Sequence, residues 1–169
     1  VFGLAMFLEK IAFLPAAEAV AALVGFQLSR PEWRSSRSSE PVKDIGDRWL
    51  GRRVPTPGSG AWRYLCRSRS IPTAVVRQAI RDDVLREGPF GSMWAAHVDK
   101  VGRVVGWEER GPDWRGFSTG GSKVLFRFGP SDASRLCVTE AAIDAISLAA
   151  LEGSREGTLY LSTGGGWSP

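Results

Sequence analysis

Cysteine and histidine are nearly absent from this chain. Cys66, Cys137 and His97 are the only ones in 169 residues. That excludes a disulfide framework, a four-cysteine zinc site and any mechanism that needs two histidines. No apolar run reaches the roughly 18 residues of a membrane span. The apolar start, Val1–Gly25, is broken by Glu9, Lys10, Pro15 and Glu18, and it lacks the basic beginning and small-residue cleavage site of a secretory signal. These absences lead to the expectation of a reducing, cytoplasmic setting, no membrane and no zinc in this chain. The first residue is Val1 rather than methionine and the last are Gly166-Trp167-Ser168-Pro169, so the chain reads as a fragment of a longer protein.

Charge is unevenly spread. The whole chain carries 22 Lys/Arg against 18 Asp/Glu, a net +4. Residues 27–69 alone hold ten Lys/Arg and four acids, a local +6, with Trp33, Trp49 and Trp62 interleaved. Such a stretch is either an anion-seeking surface, nucleic acid above all, or a solvated linker. The candidate phosphate contacts are Arg52, Arg53, Arg63, Arg67, Arg69, Arg115, Lys123 and Arg127.

Four segments follow from patterning. Residues 1–26 read as two short helices, with Pro15 in the first turn of the second and Gly25 as its stop. Residues 27–60, rich in Pro, Gly and Ser, read as a basic linker from which Trp33 and Trp49 can dock. Residues 61–130 read as a helical hairpin, with Val75, Val76, Ala79 and Ile80 on one apolar side, followed by strands. Ser92–Val98 and Arg103–Glu109 pair about an Asp99–Gly102 turn, residues 111–121 form a loop, and Lys123–Phe128 is a third strand. Residues 131–169 alternate strand, helix and strand. The apolar run Leu136–Thr139 predicts a strand buried on both faces, Ala141–Leu151 a helix, and Thr158–Ser162 a parallel partner. The fold class is α+β, closing in a partial α/β unit.

Glu140 closes the first of those last two strands and Asp144 lies in the first helical turn. Spaced four apart at a helix start, both carboxylates reach one side, and the helix dipole favours their ionised form. They are either ligands for a hard cation such as Mg²⁺ or ordinary helix-start acids. His97, mid-strand, reads as structural or surface, and Cys137 as a core thiol. Trp94, Trp107 and Trp114 are either core aromatics or stacking platforms for bases.

The stretch Leu136-Cys137-Val138-Thr139-Glu140-Ala141-Ala142-Ile143-Asp144-Ala145-Ile146-Ser147-Leu148 resembles the opening of a Toprim (topoisomerase–primase) domain, and Thr158–Gly166 is similar to its second strand and glycine loop. The region from Trp62 through Ile71-Pro72 to Val104-Val105-Gly106-Trp107-Glu108 and Phe117 resembles the module that precedes Toprim in primase-like and plasmid mobilisation proteins. Residues 1–26 are similar to the helical tail of a primase-type zinc ribbon. The resemblance implies a DNA-processing protein of a mobile element that, when complete, acts in Mg²⁺-dependent phosphoryl transfer on nucleic acid. Glu140 maps onto its catalytic acid and Asp144 onto its Ile-Asp position, and the two carboxylates are the candidate metal residues of this chain. The family's Asp-x-Asp metal pair is absent, since no Asp follows Asp144, and Ala141 stands where it usually has Gly. The competing reading is a non-catalytic nucleic-acid-binding or docking module whose Toprim-like part only supports the fold.

Overall fold

The computed structural model describes residues 2–25 and 44–165, and the readings that rest on Trp33 or on residues 166–169 lie outside the described residues. The chain divides into two compact units, residues 1–40 and 41–169. In the first, α1 (Phe2–Glu9) is followed by α2 (Phe13–Leu23). Pro15 is the third residue of α2, where a backbone N–H has no intrahelical acceptor to lose. The α2 face that packs is made of small residues, Ala16 and Ala21, while Leu4, Leu8, Leu14 and Leu23 remain exposed.

The second unit opens with α3 (Ile45–Leu50), whose cap residue Asp44 accepts a 2.8 Å hydrogen bond from the Gly46 N–H. This corrects the reading of residues 44–60 as linker. Trp49 is 1% exposed, so burying one large ring fixes a segment that otherwise looks unstructured. α4 (Gly60–Arg63), capped by Ser59, runs into a π-helical turn at Tyr64–Ser68. α5 (Thr73–Arg81) begins after Pro72 and buries Val75, Val76 and Ala79.

Seven strands follow: β1 (Leu85–Glu87), β2 (Met93–Val98), β3 (Val104–Arg110), β4 (Arg115–Phe117), β5 (Phe126–Phe128), β6 (Arg135–Thr139) and β7 (Thr158–Ser162). The last helix, α6 (Ala142–Leu151), lies between β6 and β7. One mixed sheet joins the strands in the order β4-β3-β2-β5-β7-β6, with β1 also paired to β2. The β2–β3 hairpin turns on Asp99, whose carboxylate accepts the Val101 and Arg103 N–H groups. β6 and β7 are parallel, Leu136 opposite Leu159, as expected of a strand–helix–strand unit. The architecture is α+β.

Three readings of the strands need correction. β1 was not foreseen, the loop 111–121 contains β4, and the third strand is only Phe126–Phe128. These strands are three residues long, too short for alternation to announce them.

The two faces of the sheet carry separate cores. Met93, Ala95, Phe126, Phe128 and Tyr160 belong to one, together with Val76, Ala79, Ile143 and Ile146 from α5 and α6. Trp94 and Ala96, one residue out of phase, face the other way with Trp107 and Trp49. There Trp94 stacks on Trp107 with centroids 4.1 Å apart, which makes both rings core aromatics. Trp114, by contrast, is exposed. β6 is not buried on both faces. It is the sheet's end strand, with Leu136 58% and Val138 61% exposed, while Cys137 on its other face packs partly against the core.

Candidate active site at the carboxyl ends of β6 and β7

β2, β6 and β7 run in the same direction, so their carboxyl ends share one end of the sheet. β6 stops at Thr139, and Glu140 and Ala141 turn the chain into α6. Two backbone bonds hold this turn against the loop after β7: the Thr163 N–H donates to the Thr139 carbonyl and the Gly165 N–H to the Glu140 carbonyl, at 3.2 and 2.8 Å. The Glu140 side chain is exposed and has no hydrogen-bond or ion-pair partner among the described residues. Asp144 faces Arg69, whose Nη2 lies 3.5 Å from its carboxylate. Both side chains are half exposed, so the pair contributes little stability. Among the described residues no three His, Cys, Asp or Glu side chains gather into a metal site.

The predicted basic residues are scattered and several are already engaged. Arg52 lies over the Trp94 ring and Arg53 forms an ion pair with buried Glu87. Arg63 donates to the Gly58 carbonyl and Arg127 to that of Val98. Lys123 reaches the Gly165 carbonyl at 3.5 Å, which sets it beside the loop that grips Glu140. Arg67 and Arg115 are exposed and without a partner among the described residues. Of the eight, Arg69 and Lys123 stand at the α6 start and its glycine loop.

Beneath the turn lies a cluster that the sequence did not announce. Glu108, from the middle of β3, is 3% exposed. Both of its carboxylate oxygens accept the Ala142 N–H, at 3.1 and 3.0 Å. Oε1 also accepts the Ser162 hydroxyl at 2.8 Å and lies 3.1 Å from His97 Nε2. His97 Nδ1 accepts the Val124 N–H at 3.2 Å, so the ring carries its proton on Nε2, donates it to Glu108 and is neutral. Burial raises the Glu108 pKa, but the bonds from His97, Ala142 and Ser162 outweigh it and hold the carboxyl below the usual glutamate range. His97 is therefore structural, fully buried and part of a network. The available signal was phase: pairing about the Asp99–Gly102 turn puts Glu108 and His97 on the face that meets the helices, and a register shift between His97 and Val98 then sets Glu108 opposite Ala95 and His97 opposite Gly106.

Residues 63–133 match the model of a family described as "Protein of unknown function (DUF3991)". No curated protein and no solved structure matches the chain. The DUF3991 match runs from the end of α4 through β5 and stops before β6. His97 and Glu108 fall inside it, whereas Ala142, Ser162 and Glu140 fall outside. The buried carboxylate thus ties the matched region to the strand–helix–strand unit that follows.

Proposed function

We propose that this chain takes part in phosphoryl transfer on nucleic acid, DNA in particular, as a Toprim primase-like protein with Glu140 as its general acid/base. The observation that carries the reading is the position of Glu140: a free, exposed carboxylate at the carboxyl end of a parallel strand, at a helix start and beside a glycine loop. Ligands and reacting groups in open α/β sheets collect at that end. A carboxylate there can take the proton of an attacking hydroxyl. Lys123, Arg67 and Arg115 are three cations that can meet phosphates without first breaking an ion pair, and Arg67 and Arg115 have no partner at all among the described residues.

Mg²⁺ would supply charge neutralisation at the phosphate, and carboxylate oxygens are the right donor class for it. The residues present do not make a site for it by themselves. Asp144 is shared with Arg69, and among the described residues no third acid joins Glu140. No step is therefore assigned to a metal. The same observation favours the second reading, a nucleic-acid-binding module without chemistry of its own.

The test compares the natural protein with its Glu140→Gln variant. Loss of Mg²⁺-dependent nucleotide transfer or strand cleavage by at least 100-fold, with DNA affinity retained, supports the enzyme. DNA binding with no product from either protein supports the module. Phosphate contacts release counterions, so affinity should fall steeply from about 50 to about 200 mM salt, and neutralising Arg67, Arg115 or Lys123 should reduce the slope by about one each. An unchanged slope in all three variants removes nucleic acid as the partner. Because Trp49 is buried, charge neutralisation is the appropriate test for residues 44–60, and deletion is not.

A further inference from the structure

A helix that starts without its own cap needs an acceptor from elsewhere. Ala141, the cap position of α6, is extended (φ −127°, ψ 155°) and has no side chain to offer. Glu108 fills that role from β3, 34 residues earlier, by accepting the Ala142 N–H on both oxygens. Its charge faces the positive end of the helix dipole instead of a cation, because His97 is neutral. Ser162 and His97 complete the shell, so the buried carboxylate is hydrogen-bonded from three other elements: α6, β7 and β2.

The same cluster shapes the loop after β7. Gly164 has φ +74°, and a Cβ there would stand 2.9 Å from His97 Cε1. The loop can lie against the imidazole only because no side chain intervenes. One residue later, the Gly165 N–H closes on the Glu140 carbonyl at 2.8 Å. The Glu140 backbone is therefore bracketed: its carbonyl is held by a loop that rests on His97, and the chain two residues on is held by Glu108.

We propose that Glu108 is a positioning residue for Glu140, fixing the start of α6 directly and the Gly165 loop through His97 and Ser162. The proposal rests on the functional reading of Glu140, and its test separates the two. Glutamine keeps the shape of Glu108 but turns one acceptor into a donor facing the Ala142 N–H. In Glu108→Gln, amide exchange at Ala142 and Gly165 should quicken at least tenfold, while amides of β1 and the β2–β3 hairpin near Ala95 keep wild-type rates. Ser162→Ala removes one bond of the cluster and should show the same local pattern, roughly threefold, if the glutamine variant fails to fold. In the natural protein, Glu108→Gln should lower turnover at least tenfold with half-saturating DNA unchanged. Unchanged exchange at Ala142 and Gly165, or an increase spread evenly over the sheet, overturns the proposal. A local exchange effect in a wild-type protein that forms no product upholds the positioning by Glu108 and overturns the chemistry assigned to Glu140.

Discussion

The outer face of the single sheet is finished in one half and bare in the other. Over β2 and β3 it is closed by Trp49 of α3, and Trp49, Trp94 and Trp107 form a small aromatic core. Arginines lie over these rings: Arg48 over Trp107 at 4.8 Å, Arg52 over Trp94 at 5.1 Å and Arg86 over Trp49 at 5.6 Å. Over β6 no such cover exists among the described residues, and Leu136 and Val138 are more than half exposed. Both halves share the opposite face, where α5 and α6 bury Met93, Phe126 and Tyr160. The difference shows that cationic side chains in this protein are not automatically a phosphate surface. Three arginines of the basic region and its surroundings serve first as lids on tryptophan, through guanidinium–ring contact and the packing of their aliphatic stems.

The sharpest way to break the comparison is to remove the finished half. Trp107→Ala deletes a ring that is 1% exposed and stacked on Trp94, and should cost about 3–5 kcal/mol in urea unfolding. A loss below about 1 kcal/mol would mean that the aromatic core is not what holds α3 down.

A second measurement compares the two acids that bracket α6. Glu108 sits at the helix start, where the dipole favours a negative charge. Glu152 sits at the C-terminal end, where the dipole opposes one, and is held instead by a double hydrogen bond from Arg135 and by the Tyr160 hydroxyl. Those bonds lower the Glu152 pKa to about 2 from the ordinary 4.5. An acid with a lowered folded pKa binds fewer protons in the native than in the unfolded state between those values. Its stabilisation is complete above about pH 4.5 and is lost as the pH falls toward 2. Urea midpoints taken from pH 6 to 2.5 should therefore fall more steeply in the wild type than in Glu152→Gln. Equal slopes would show that the Arg135 contact does not persist in solution.

Hydrogen exchange sharpens the contrast between interior and edge strands. The strand–helix–strand pattern alone does not say which of β6 and β7 is the open edge of the sheet. The described structure puts β7 between β5 and β6 and sets the open edge at β6. Amides of Thr158–Ser162 should be among the best protected, and those of β6 that face away from β7 among the fastest of any strand. Rapid exchange throughout Thr158–Ser162 would contradict the strand order.

The smallest effect on stability is expected on the bare half. Leu136→Ser and Val138→Ser remove exposed apolar groups and should leave unfolding within about 0.5 kcal/mol of wild type. Edge strands with apolar faces promote association, so light scattering at high concentration should fall in both variants. Scattering that does not change would show that this edge is not sticky.

The local elements were largely legible. The strand–helix–strand order, the parallel pairing of Arg135–Thr139 with Thr158–Ser162, the Asp99–Gly102 turn and the apolar side of α5 all follow from periodicity and turn residues. Position also exposed Glu140 and Asp144, because a strand end followed by a helical stripe identifies a turn. The environment of Asp144 was not legible, since Arg69 comes from just after the distant π-helical turn. Nor was the engagement of Arg52 and Arg53, since their partners Trp94 and Glu87 lie more than thirty residues away.

What the sequence determined by itself is the set of short-range choices: which segments become helices and strands, where the chain turns, and which residue types can carry charge at a strand end. These depend on dihedral preference and on the period of apolar residues, both written within a few neighbours. Only the tertiary structure decided that Trp49 closes the second core and that β6 is the exposed edge. It alone decided that Glu108 caps a helix 34 residues away with help from His97 and Ser162. A buried carboxylate is tolerable only where several donors converge on it, and convergence from three other elements is a property of their packing, not of any stretch of chain.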